Sequence, residues 1–332
     1  MTENQERDLI TFALLTYNQE EYIQDAVQAA LSQDYSPLDI IISDDCSDDL
    51  TFAIVQQAVA AYRGPHSLRI NRNPKNLGIA AHINAVMQMI TSDFVVIAAG
   101  DDISMPNRTS VLATAWLESG KKVLSVHSSA VDLDSFGNEA SIVRKGCEDI
   151  DLNDLEKHAS QNLFVLGATH AWDMSLIRLF GPLLNDVVNE DVVLAARAAL
   201  LGRIQFVDRP LVKYRVGVGV SHEGSRLRQG GTFQMTTPLL KRPYYSFLQK
   251  YRDFRLLGLN VAYADHFSRA RANSLLPIWL RTGFRSSSKI RFFLQRCDWK
   301  LLIWEYVKFR IPATIAMKKR FAYWVQKKLF KY

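Results

Sequence analysis

The sequence predicts an α/β protein with a mainly parallel central sheet flanked by helices, followed by a helical C-terminal extension. Three observations predict it. Short apolar runs alternate with helical runs through residues 9–118, the order that builds a parallel sheet with right-handed crossovers. The runs at 9–15, 38–43 and 94–98 are apolar almost throughout rather than alternating, as strands covered on both faces are. The segments that follow them are polar and acidic, and a parallel sheet brings such segments to one edge, where ligands gather.

Composition narrows the class. With 332 residues, 48% hydrophobic and 22% charged, the chain can bury one large core or two smaller ones, and disorder is excluded. The first eight residues are polar and carry no secretory apolar region, so a cytoplasmic location is expected. Cys46, Cys147 and Cys297 are odd in number and far apart, against both a disulfide framework and a zinc site. The net charge of +6 hides an asymmetry: residues 277–332 hold 14 Lys and Arg against Asp298 and Glu305, leaving the preceding residues at −6.

The first strand leads into Thr16-Tyr-Asn-Gln-Glu-Glu, where Asn18 and Glu21 have capping-box spacing ahead of an Ala-rich helix reaching about Gln33. Neither G-x-G-x-x-G nor G-x-x-x-x-G-K-[ST] is present, so dinucleotide and P-loop readings lose their anchors. The second strand ends in Asp44-Asp45, with Ser47 placed to cap a helix over 49–62. A short strand at 67–70, a turn-rich loop containing Asn76 and Gly78, and a helix over 79–90 follow. The fourth strand ends in Gly100-Asp101-Asp102. Two adjacent carboxylates repel and call for a cation, and oxygen ligands suit Mg²⁺ or Mn²⁺ held with substrate phosphates; the alternative is a helix-capping Asp with a solvated neighbour.

Four segments taken in order, Thr16-Tyr-Asn, Ile-Ile-Ile-Ser-Asp-Asp-Cys-Ser-Asp-Asp, Asn-Leu-Gly-Ile-Ala-Ala and Gly-Asp-Asp-Ile, resemble the signature of family 2 glycosyltransferases. The resemblance covers about the first two thirds of the chain and implies a GT-A fold, a nucleotide-diphosphate sugar donor, a divalent metal and inversion at the anomeric centre. It implies that Thr16, Tyr17, Asn18 and Glu20 border the nucleotide. Asp44 would contact the base, Asp45 would support its loop, and Asn76 and Gly78 would lie near ribose and base. Asp101 and Asp102 would form the D-x-D element that holds metal and diphosphate. One departure is Ala99, where the family often has an acid.

Pro106 can start a helix through about Glu118, whose Trp116 and Leu117 read as core. A strand over 123–127 and a turn at 136–138 follow, and the acidic run at 148–154 lacks EF-hand spacing. Gly167-Ala-Thr-His-Ala-Trp borders the acceptor in the family: the Trp172 face can carry a sugar ring and His170 can bond a hydroxyl, or both can belong to the core. Glu190-Asp191 begins a helix closed by Gly202. Acids suit a helix N-terminus through its dipole alone; the resemblance makes Asp191 the catalytic base and Glu190 its neighbour, and Arg197 is read as pairing with a carboxylate to hold the helix rather than touching phosphate. A strand pair at 204–207 and 210–216 is expected next, with Gly217 where family members often have a His that His222 would replace, and residues 223–232 read either as a lid carrying Arg226 and Arg228 as candidate diphosphate contacts or as a solvated loop.

A catalytic domain over 1–240 and an extension over 241–332 are expected. Beyond residue 277 two apolar stripes, one from Ile290 to Ile311 and one from Met317 to Leu329, are bordered by Lys and Arg. Neither reaches the roughly 18 uncharged apolar residues of a membrane span. Basic amphipathic helices with Trp and Phe suit an anionic membrane surface; packing on the catalytic domain is the alternative, and no nucleic-acid module accompanies the charge. The reading is an inverting, metal-dependent transferase acting on a glycan or lipid-linked acceptor in bacterial surface polysaccharide assembly, peripheral at the inner face of the cell membrane. A nucleotidyltransferase or a non-catalytic partner of another transferase are the other classes.

Overall fold

Seven consecutive buried residues make β1 (Ile10–Thr16) an inner strand. It pairs in parallel with β2 (Leu38–Asp44) on one side and β4 (Phe94–Ala99) on the other. β3 (Ser67–Arg72), partly exposed along its length, pairs in parallel with β2 as the edge. α1 (Ile23–Leu31), α2 (Thr51–Ala61) and α3 (Ile79–Met87) make the crossovers. The computed structural model describes residues 7–134, 137–147, 165–218 and 237–258.

Beyond β4 the sheet becomes mixed. The chain continues through β5 (Ile103–Ser104), α4 (Arg108–Glu118), β6 (Val123–Leu133) and β7 (Glu139–Arg144). A 3-10 turn (Gly167–Thr169) then leads into β8 (Ala171–Asp173), α5 (Ser175–Phe180), α6 (Glu190–Leu201), β9 (Arg203–Arg215) and α7 (Thr237–Leu256). β8 lies antiparallel between β4 and β6, β6 and β9 run parallel, and β5 and β7 add antiparallel pairs. The described strands are ordered β3-β2-β1-β4-β8-β6-β9-β5, with β7 beside β6. The expected parallel arrangement thus holds for β3 to β4 and for β6 with β9. Elsewhere strand direction is reversed.

Alternate residues of each inner strand feed two cores. Phe12, Ile40 and Phe94 pack with α1, α2 and α4 on one face; Ala13, Ile41 and Val95 pack with α3, α5 and α6 on the other. Trp116 is fully buried, as its sequence context predicts, stacked on Phe94 with ring centroids 4.8 Å apart, and its indole N–H donates to Asp173 at 2.9 Å. Burying an indole without such an acceptor would leave a donor unpaired.

Several local expectations shift. α1 begins at Ile23, so Asn18 and Glu21 do not form its cap; Asn18 instead takes a positive φ of 50°. α2 begins at Thr51 rather than beside Ser47. The two expected strands at 204–216 form one strand, β9, which absorbs Asp208 and Arg209 as a register shift against β6. α7 runs across residue 240, so the expected domain division falls inside a helix, one that packs on α6. Residues 148–154, His222, Arg226, Arg228 and the stripes beyond 277 lie outside the described residues.

Candidate functional site

The loops after β1 and β2 are tied to each other before any ligand is considered. The Asn18 N–H donates to Ser47 Oγ at 2.9 Å and Asn18 Oδ1 accepts the Asp48 N–H at 3.0 Å. Glu20 Oε2 accepts the Leu50 N–H at 2.9 Å, and the Gln19 N–H donates to Thr51 Oγ1 at 2.8 Å. Of the residues expected to border a nucleotide, Asn18 and Glu20 therefore hold the neck of α2 with their polar groups. Tyr17, 40% exposed, is left facing outward.

Asp44 and Asp45 are both buried and both occupied. Asp44 accepts the N–H of Ser47 at 2.9 Å and its hydroxyl, and lies 3.4 Å from Arg72. Asp45 accepts Asn73 Nδ2 at 2.7 Å and the N–H groups of Leu77 and Gly78, each at 2.9 Å. Asn76 Oδ1 shares the Gly78 N–H at 2.9 Å. Gly78 takes a φ of 79°, which a side chain would strain. Asp45 thus organises the loop that carries Asn76 and Gly78.

At the end of β4 the Gly100 N–H donates to Leu15 O at 2.9 Å. A Cβ there would lie 2.5 Å from Gln19 Oε1 and 2.7 Å from Thr16 Oγ1, so the loops after β1 and β4 meet at a point only glycine fits. Asp102 is 5% exposed and its Oδ1 accepts the Arg215 N–H at 2.8 Å. The Arg215 guanidinium donates to Asp101 O at 3.1 Å and lies over the Tyr22 ring. Burial, and then the Asp101 charge, hold the Asp102 carboxyl well above the ordinary range, against the Arg215 N–H and the Arg108 and Arg215 charges. Arg108 is fully buried, donating to Ser104 Oγ at 2.8 Å and Ile97 O at 2.6 Å, and burial pushes its pKa down to about 9.

Glu190 and Asp191 open α6, both half-buried. Asp191 Oδ1 accepts the Val192 N–H at 2.7 Å. The turn at Gly167 presses against this pair: a Cβ on Gly167 would lie 3.5 Å from Glu190 Oε1 and 3.6 Å from Asp191 Oδ2. The turn runs beside β4, since the Ile97 N–H donates to His170 O at 3.1 Å and Ala171 is in register with Val96. The path from Asp191 through Gly167 therefore leads to the strand end that bears Asp101. Burial, and then Asp191, raise the Glu190 pKa to about 8. Asp191 is also raised by burial, opposed by the N–H groups of Val192 and Gly167 and by the Lys250 charge.

His170 and Trp172, expected at the acceptor, are placed in the core instead, 1% and 2% exposed. His170 Nε2 is bonded to Ser125 Oγ at 2.6 Å, and burial, followed by the His127 and Arg108 charges, lowers its pKa to about 3, so its ring is neutral. Neither ring is presented to a sugar. What the segment contributes to the site is the backbone of Gly167. Arg197 pairs with a carboxylate as expected: its Nε donates to Asp253 at 2.8 Å.

Gln19, Arg108 and Lys250 were not marked by the sequence. Lys250 could not be: Ser246, Gln249, Lys250 and Asp253 make a buried face of α7, and a polar stripe at helical spacing reads as solvent-facing.

The sequence model of glycosyl transferase family 2 matches residues 11–171. The putative glycosyltransferase EpsE of Bacillus subtilis is 31% identical over 121 residues, 36% of this chain and 42% of that protein. The putative colanic acid biosynthesis glycosyl transferase WcaA of Escherichia coli K12 is 33% identical over 103 residues, 31% of this chain and 36% of that one. The matched stretch thus spans less than half of either relative. Among solved structures, S. aureus TarS 1-349 in complex with UDP-GlcNAc superposes with a TM-score of 0.54 at 16% identity, over 90% of this chain and 80% of that one. A mannosyltransferase from Pyrobaculum calidifontis in complex with GDP-Man and Mn²⁺ gives 0.52 at 17% identity, over 92% and 87%. At these identities the likeness is one of fold: the chain has the GT-A architecture.

Proposed function

Since residues 11–171 match glycosyl transferase family 2, we propose that this chain transfers a sugar from a nucleotide-diphosphate sugar to an acceptor hydroxyl with inversion at the anomeric carbon. The observation that carries the reading is the meeting of Asp101, Gly100, Thr16 and Gln19 at one sheet edge, with the Gly167 turn leading from there to Asp191. Asp191 takes the proton from the acceptor hydroxyl while that oxygen attacks the anomeric carbon and the nucleoside diphosphate leaves from the opposite face. Burial and the Asp191 charge raise Glu190, which favours its protonated form beside Asp191. Tyr17 and the loop of Asn76 and Gly78 line the nucleotide side.

The donor set at Asp101 and Asp102 fits a hard cation: two adjacent carboxylates, one oxygen of Asp102 already committed to Arg215, and among the described residues no third His, Cys, Asp or Glu gathered with them. Mg²⁺ commonly completes such a site with phosphate oxygens and water. A bound Mg²⁺ or Mn²⁺ would offset the charge developing on the departing diphosphate. Asp101 and Asp102 would hold the ion, with Asp102 Oδ1 also accepting the Arg215 N–H. The acceptor is a glycan or lipid-linked saccharide of bacterial surface polysaccharide, which agrees with the colanic acid assignment of one relative.

The test is nucleoside diphosphate release from a panel of UDP-, GDP- and dTDP-sugars with saccharide acceptors. Asp191→Asn is expected to keep donor binding and lose transfer by about 10²–10⁴-fold, the usual worth of a general base. EDTA should abolish transfer and Mn²⁺ restore it. Near-normal turnover of D191N, or transfer indifferent to EDTA, overturns the respective assignment.

A further inference from the structure

We propose that Lys250 is a positioning residue for this reaction: its ammonium, carried on α7 from outside the family-matched stretch, is set against the head of α6 to keep Asp191 in its basic form. The proposal rests on Asp191 being the base. Lys250 is 2% exposed. An ammonium taken out of water costs several kcal/mol unless a counter-charge meets it. Its neighbours on the same helix face already have other work. Gln249 accepts the Leu184 N–H at 2.8 Å and donates to Asp253 at 2.7 Å, and Asp253 receives Arg197 Nε at 2.8 Å and Nη2 at 3.2 Å. Arg197 Nη1 also donates to Gly181 O at 2.9 Å. These bonds tie the turns of α7 on either side of Lys250 to Leu184, just ahead of α6, and to Arg197 within it, which places Lys250 beside the head of α6.

The carboxylate whose charge acts on Lys250 is Asp191, and it opposes the burial that brings the lysine down to about 8. The groups facing Asp191 are Glu190 on its own helix, Lys250 on α7, and the N–H groups of Val192 and Gly167. Arg197, the next cation along α6, is committed to Asp253. Burial raises both Glu190 and Asp191, and Lys250 is the side-chain cation working against that rise at Asp191. Without it Asp191 moves further up, and an acceptor hydroxyl at neutral pH meets a protonated acid that cannot take its proton.

The test is a carboxyl ¹³C NMR titration of Asp191 in the full chain, its signal assigned by disappearance in D191N, for wild type, Lys250→Met and Lys250→Arg. The Asp191 midpoint is expected to rise by about one pH unit or more in K250M, as loss of a nearby opposite charge does. K250R should return it close to wild type, and the acid limb of the kcat/KM profile should move with it. Should K250M fail to fold, Lys250→Gln carries the same comparison. An unmoved midpoint in a folded, uncharged variant, with D191N inactive, overturns this inference alone. A D191N enzyme that still transfers overturns the base assignment and the inference with it.

Discussion

Gly100 is where three separate requirements meet at one residue. Its N–H bonds Leu15, its missing Cβ makes room for Thr16 and Gln19, and its successors are the two carboxylates. Gly100→Ala would force the loop after β1 away, since Thr16 Cβ, fixed on the backbone, lies 2.9 Å from the added methyl. The expected cost is about 1–3 kcal/mol of stability, typical of overpacking, with donor binding weakened as the Thr16 side moves. Thermal unfolding and calorimetric donor titration measure both; unchanged values would mean that the neighbours yield freely. Asp101, Asp102, Glu190 and Asp191 were legible as residue types because unpaired acids at element ends are conspicuous. His170 and Trp172 were not, because a ring beside a loop can face in or out. Short β8, wedged between β4 and β6, sends both inward.

At the scale of elements, the joint between α6 and α7 carries a buried ion pair, with Arg197 and Asp253 at 0% and 4% side-chain exposure. Removing one member strands the other's charge in the core. Arg197→Met or Asp253→Leu alone should therefore cost about 3–5 kcal/mol, whereas the double variant should recover most of that loss. A double-mutant cycle by urea unfolding reads the coupling, and additive single losses would show that the pair is not what joins the helices. The parallel half of the sheet was readable because strands buried on both faces are apolar without a break. The mixed half was not. β8 is three residues long, and β9 reads as two strands because Asp208-Arg209-Pro210 looks like a turn, although pairing with β6 carries the chain through it.

At the scale of the whole molecule, an acidic body is joined to a strongly basic, aromatic C-terminal segment beyond residue 277. No helix among the described residues is long and apolar enough to cross a membrane. We propose that the segment holds the enzyme at an anionic surface, where a lipid-linked acceptor would be found. Liposomes containing phosphatidylglycerol should co-sediment the full chain and lose it on deletion of 277–332 or in high salt; equal binding by the truncated chain would refute the membrane role. The sequence by itself determined the α/β class, the sites of the acidic loops and a resemblance to family 2 glycosyltransferases, because strand burial and short-range loop chemistry are written in consecutive residues. The tertiary structure alone decided that Asp45 holds the loop of Gly78 and that His170 and Trp172 lie in the core. It also decided that Arg197 meets Asp253, 56 positions away. Contacts of that kind depend on which helix face is covered, and a polar stripe on α7 does not disclose that it is buried until the helix it packs against is in place.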